Sequence, residues 1–127
     1  MIKQFTIKTS KRNEFIDITG HIQGLTEGIS EGVMTVFSPH TTTAITINEN
    51  ADPDVPRDIL KKLEDLIPQR GNFAHMEGNS DSHIKASLFG SSVSIIIKDS
   101  QLLLGTWQSV FFCEFDGPRT RNFNVQI

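Results

Sequence analysis

Short runs of β-branched and aromatic residues recur along almost the whole chain, and they restrict its fold more than any other feature. Phe5-Thr6-Ile7-Lys8, Phe15-Ile16-Asp17-Ile18 and Val33-Met34-Thr35-Val36-Phe37 occupy the first third. Residues 42 to 48 alternate in the same way, and after Gly90 the pattern returns at Val93 to Ile97, Gln101 to Leu104, Ser109 to Phe115 and Phe123 to Ile127. Such content favours pleated sheet, and Asp99-Ser100 and Asp116-Gly117-Pro118 supply turns between the later runs.

Three segments carry a helical period instead. Ile22, Leu25 and Ile29 predict an amphipathic helix entered at Thr19-Gly20. Ala51-Asp52-Pro53-Asp54-Val55-Pro56 is turn chemistry leading into a second helix, whose Ile59, Leu60, Leu63 and Leu66 keep the period until Pro68 stops it. The third helix is capped by Asn79, Ser80 or Asp81, holds His83 in its first turn and ends at Gly90. Between the last two, Gln69 to Asp81 has two glycines, two asparagines and no apolar period, so it reads as a long loop of the kind that tends to be functional. Residues 1–127 are expected to form one α+β domain, an antiparallel or mixed sheet with three segregated helices.

The net charge of -3 is mild, and Lys3, Lys8, Lys11, Arg12, Lys61 and Lys62 are scattered rather than clustered, which argues against a nucleic-acid partner. The N-terminus has no basic segment followed by an apolar run, and no apolar stretch reaches membrane-spanning length. A cytoplasmic protein without membrane contact is expected. The single cysteine, Cys113, excludes an internal disulfide and reads as a small buried hydrophobe, since nothing near it would lower a thiol pKa.

Three of the four histidines suit a divalent metal. His75 and His83 flank or lie in the long loop and can converge at a helix start, while His40, placed at a strand end by Ser38-Pro39, can join them. Zinc favours neutral imidazoles, and three ligands with an open position are the usual catalytic form. His21, at the start of the first helix, reads as an exposed polar residue.

Several polar groups are open to two readings each. Glu114 shares a strand face with Val110 and Phe112, so it either moves protons, supports a histidine, or is bound by a backbone N–H or Arg119. Glu49, where the strand of residues 42 to 48 ends, is a general base or a solvated strand-end acid. Asp81 is a site acid or only a helix cap. Arg119, just outside a strand end, and Lys85, in the first turns of a helix, are phosphate holders or structural ion pairs.

Taken together, Pro39-His40-Thr41-Thr42, Asn48-Glu49-Asn50, the block from His75 to Gly90, Leu104-Gly105-Thr106-Trp107-Gln108 and Glu114-Phe115-Asp116-Gly117-Pro118-Arg119 resemble the small YjbQ proteins, sometimes labelled secondary thiamine-phosphate synthases. The resemblance spans nearly everything from Val33 onward. It implies an α+β fold assembling as a homotrimer, with His40, His75 and His83 near a metal often taken as zinc. The activity it suggests joins a pyrimidine methyl diphosphate to a thiazole phosphate and releases diphosphate. Arg119, Lys85, Asn79 and Thr41 would then contact phosphate, and Glu49, Glu114 and Asp81 would be the acid-base candidates. Diphosphate departure is normally assisted by magnesium, whereas a three-histidine set prefers zinc or nickel. Two alternatives follow: a metal-dependent hydrolase of a small phosphate or carboxyl-containing substrate, and a non-catalytic trimer that binds metal or a small ligand.

Overall fold

Every strand run forms a strand, and all pair antiparallel. The computed structural model describes residues 1–127, with strands β1 (Ile2–Lys8), β2 (Glu14–Asp17), β3 (Glu31–Phe37), β4 (Thr43–Glu49), β5 (Ser92–Lys98), β6 (Gln101–Leu102), β7 (Gln108–Glu114) and β8 (Thr120–Gln126). The sheet is in fact two sheets. One has the order β1-β8-β3-β5-β6 and the other the order β2-β7-β4.

The alternation along each strand decides how the sheets stack. Met34 and Val36 of β3, Ile95 and Ile97 of β5, and Phe123 and Val125 of β8 point inward, where they meet Ile45 of β4 and Val110 and Phe112 of β7. The opposite face of the three-stranded sheet is also covered. Ala44, Phe111, Cys113 and Phe115 pack there against Ala86, with Leu60, Leu63 and Phe89 at the margin. The order of layers is therefore five-stranded sheet, three-stranded sheet and the two longer helices, while Ile22 of the short first helix belongs to the core between the sheets. Cys113 lies buried among aromatic rings, and burial pushes its thiol well above the ordinary range, which leaves it without thiolate character.

The helices are α1 (Thr19–Gln23), α2 (Asp54–Leu66) and α3 (Ser80–Phe89). The first is shorter than its apolar period predicts. It tightens into a single 3-10 turn over Gly24–Thr26, and Gly28, at φ +79°, turns the chain away before Ile29. Pro56 is tolerated because it stands in the first turn of α2, where a backbone N–H would have no intrahelical acceptor. The run expected over Gln101 to Leu104 pairs for two residues only, and β5 and β6 are joined by Asp99 and Ser100, both at positive φ. That conformation matches the right-handed strand twist of a two-residue hairpin. Residues 67–79 contain no helix or strand, as their composition suggests. No helix is long and apolar enough to cross a membrane.

Candidate functional site

β3 pairs with β8 only from Thr35 to Phe37, after which Pro39 carries the chain off the sheet. The N–H of Asn122, next along β8, is left without a strand partner. His40 fills the gap: its Nε2 accepts that N–H at 3.0 Å. The turn bearing His40 is tied to the end of α3, since the N–H groups of Ser38 and Ile45 donate to the carbonyls of Ser91 and Gly90. Ser38 and Thr43 also share a hydrogen bond through their hydroxyls. His83, one turn into α3, faces this turn, so that His40, Thr41, Thr43, His83, Ser87 and Ser91 line one cleft. Burial and the neighbouring Arg121 hold the His40 imidazole below its ordinary pKa.

His75, exposed on the long loop, stands edge-on to His83 with ring centroids 5.5 Å apart. Neither ring nitrogen of these two residues is used in a hydrogen bond within the chain. The expected three histidines thus come as a close pair, His75 and His83, with His40 sharing a separate cleft with His83. No group of three or more His, Cys, Asp or Glu side chains is gathered closely enough in the chain to hold a metal ion. His75 and His83 are of the donor type that suits a zinc-like ion, since an imidazole nitrogen can ligate it, but the pair is one ligand short of the usual three.

The acids behave differently from the histidines. Glu114 is fully buried and accepts from Arg121 Nε at 2.9 Å and Nη2 at 2.6 Å, from the Thr9 hydroxyl at 2.8 Å, and from the backbone N–H groups of Phe115 and Asp116. Arg121 Nη2 also donates to Thr42 Oγ1. The carboxylate expected on the inward face is there, but its guanidinium partner is Arg121 and not Arg119. Gly117 makes the corner possible, since a Cβ there would run into the Lys11 carbonyl, Glu114 and Thr9.

Asp81 is equally committed. It lies in the first turn of α3 without capping it, and receives both Arg12 nitrogens, at 2.9 and 3.0 Å, and Lys85 Nζ at 3.2 Å. Burial pushes its carboxyl up, but the bonds from Arg12 and Lys85 outweigh that and leave it below the usual carboxylate range. Lys85 is itself fully buried and reaches Glu64 of α2 at 2.6 Å, so its ammonium is neutralised on two sides. This network fastens both long helices to the Arg12 turn.

The remaining candidates fall outside the cleft or are otherwise engaged. Arg119 is half exposed and bonded to the carboxylate and carbonyl of Asp116. Asn79 donates to Glu77 and Asp116, and its own oxygen is buried without a partner. Thr41 does line the cleft. Glu49 ends β4, opposite Gln108, roughly 20 Å along the strand from the Thr43 end that adjoins His40. Within one chain it cannot act as a base beside the histidines. Exposed His21 packs edge-on against Phe5 at 5.9 Å between ring centroids.

Arg121, Arg12 and Glu64 were not singled out by sequence reasoning. Arg121 had a signal: alternation over Arg121-Asn122-Phe123-Asn124-Val125 puts it inward with Phe123 and Val125, where a cation needs an inward-facing acid such as Glu114. Arg12 had none, because its partner lies in a distant helix.

A two-sheet α+β domain with a histidine-lined cleft between a strand-end turn and a helix defines the structural class. The profile of the family described as UPF0047 protein YjbQ-like matches residues 3–127, and the chain belongs to that family. It is 55% identical to a UPF0047 protein of Methanocaldococcus jannaschii, over 100% of this chain and 94% of the relative. It is 46% identical to UPF0047 protein YugU of Bacillus subtilis, over 100% and 98%. A crystal structure of an uncharacterized conserved protein of the YjbQ/UPF0047 family from Clostridium acetobutylicum superposes with a TM-score of 0.97, at 54% identity and covering 98% of each chain.

Proposed function

We propose that the chain is a metal-assisted hydrolase of a small phosphate or carboxyl-containing substrate, which binds in the cleft shared by His40 and His83. The observation that carries this reading is the His75–His83 pair, two imidazoles with unused ring nitrogens, of which His83 lines that cleft and also an adjoining hollow together with His75. His75 and His83 would hold a zinc-like ion, and the chemistry it supplies when bound is electrophilic assistance together with a lowered pKa for water. Thr41 and Ser91 offer hydroxyls to a substrate, while that of Ser87 donates to the His83 carbonyl, and the cleft has no acidic residue in its lining.

Joining a pyrimidine diphosphate to a thiazole phosphate is the second reading, favoured by the family resemblance. It asks Lys85 and Arg119 to hold phosphate, and both are engaged by carboxylates. Homotrimeric assembly belongs to either reading. Val33 and Ile96 face each other across β3 and β5 on the outer side of the five-stranded sheet, both more than half exposed, and subunit association would cover them.

The test is metal analysis of the purified protein beside His83→Ala and His75→Ala, followed by assays for metal-dependent hydrolysis and for thiamine phosphate formation. About one zinc-like ion per chain is expected, reduced several-fold in each variant with the circular dichroism spectrum unchanged. Unchanged stoichiometry in both variants removes the pair from any metal site. Bound metal without turnover in either assay favours a binding protein over an enzyme.

A further inference from the structure

We infer that His40 serves the cleft as a neutral hydrogen-bond donor through Nδ1, fixed in that tautomer by the Asn122 N–H, and that it recognises a phosphate or carboxylate oxygen of the substrate instead of ligating metal. The inference deepens the reading above and rests on the same cleft being the binding site.

A neutral imidazole has one N–H and one lone pair. At His40 the lone pair belongs to Nε2, because a backbone N–H donates to it at 3.0 Å. The proton is therefore on Nδ1. That atom makes no hydrogen bond within the chain and is absent from the buried polar atoms that lack a partner, so its N–H is open to solvent along the cleft that His40 lines. Metal ligation by this ring would require either removing the Nδ1 proton or breaking the Asn122 bond. The second choice strands an N–H of β8 that Pro39 has already deprived of its strand partner.

The surroundings suit an anion. The hydroxyls of Thr41 and Ser91 share the cleft, that of Ser87 being spent on the His83 carbonyl at 2.9 Å, and no carboxylate lines it. Glu114, the acid whose charge acts on His40, is spent on Arg121, on the Thr9 hydroxyl and on two backbone N–H groups. A substrate oxygen accepting from Nδ1–H thus meets donors and no competing negative charge. His75 and His83, free at their ring nitrogens, remain the metal-binding pair.

The experiment is long-range proton–nitrogen correlation of the four imidazoles in the full-length, nitrogen-15-labelled protein at neutral pH, before and after adding zinc and, separately, inorganic phosphate. The expected spectrum shows His40 with an unprotonated Nε2 and a protonated Nδ1. Zinc should move the His75 and His83 nitrogens and leave those of His40 in place, and phosphate should move His40 Nδ1. His40→Ala should weaken phosphate binding about tenfold, the value of one charge-assisted hydrogen bond, with zinc stoichiometry unchanged. His40→Asn, which can keep an N–H donor near the position of Nδ1, should recover part of that loss. A protonated Nε2, a coordination shift of a His40 nitrogen with zinc, or phosphate binding that ignores His40 overturns the inference. Failure of zinc to reach His75 and His83 sinks the metal reading alone, and the tautomer and phosphate results still judge His40.

Discussion

Glu114 and Arg121 meet face to face across the two sheets, the guanidinium of β8 holding both carboxylate oxygens of β7 at 2.9 and 2.6 Å. Both side chains are almost wholly buried. A pair so placed locks the ends of the sheets together beside the His40 turn, because Arg121 also holds Thr42. Removing one partner strands the other charge away from water. Arg121→Ala is expected to cost about 3–5 kcal/mol in urea denaturation, and Glu114→Ala a similar amount, with the double variant well short of their sum. Additive losses would show that the two residues do not act as a pair.

The Asp81 network predicts sensitivity to acid. Asp81 has a folded-state pKa below its ordinary value, so its contribution to stability is present above the unfolded pKa of about 3.9 and is lost as pH falls through the folded value. Thermal unfolding temperature should therefore drop steeply below about pH 4, and Asp81→Asn should lower the temperature near neutrality while flattening that drop. An equally steep acid limb in the variant would place the titration elsewhere.

His40 carries the corresponding prediction at milder pH. Its folded pKa lies below the ordinary 6.5, so its contribution is present above that value and lost as pH falls through the lowered one. Protonation also ends the bond from Asn122, since an imidazolium has no lone pair to accept it. The difference in unfolding temperature between the wild-type protein and His40→Ala should shrink from pH 7 to pH 5. A difference that stays constant over that range would mean His40 is not held neutral.

Gly117 and Gly20 make a controlled contrast. A methyl group at Gly117 collides with a backbone carbonyl and with the buried Glu114 corner, whereas at Gly20 nothing lies within 4 Å. Gly117→Ala is expected to destabilise by about 1–3 kcal/mol or more, measured by chemical denaturation. Gly20→Ala, inside α1, should be neutral or stabilising by up to about 1 kcal/mol. Equal effects at the two positions would argue that the Gly117 corner relaxes freely.

Strand and helix identity were legible locally because side-chain periodicity is a property of neighbouring residues. The alternation of Val110 to Phe115 put Glu114 and Cys113 on opposite faces, and the structure keeps them there, one in the inter-sheet layer and one against the helices. Gly24 and Gly28 cut the first helix short, a local effect that the apolar period of Ile22, Leu25 and Ile29 concealed.

Chain order alone determined that this protein alternates short strands with three helices, that two of its four histidines, His75 and His83, lie in or beside one long loop, and that a carboxylate faces inward near the end of β7. Only the tertiary structure decided which cation meets which acid and where each histidine nitrogen points. Arg121 reaches Glu114 because two sheets stack, Arg12 reaches Asp81 because α3 packs beside a distant turn, and His40 gives up its lone pair because β3 leaves β8 one hydrogen bond early. Those pairings depend on angles and distances between elements remote in sequence, and periodicity carries no record of them. The roles first given to Lys85, Asp81 and Glu114 depended on their charges being available, and burial beside an opposite charge is a property of the packed chain alone.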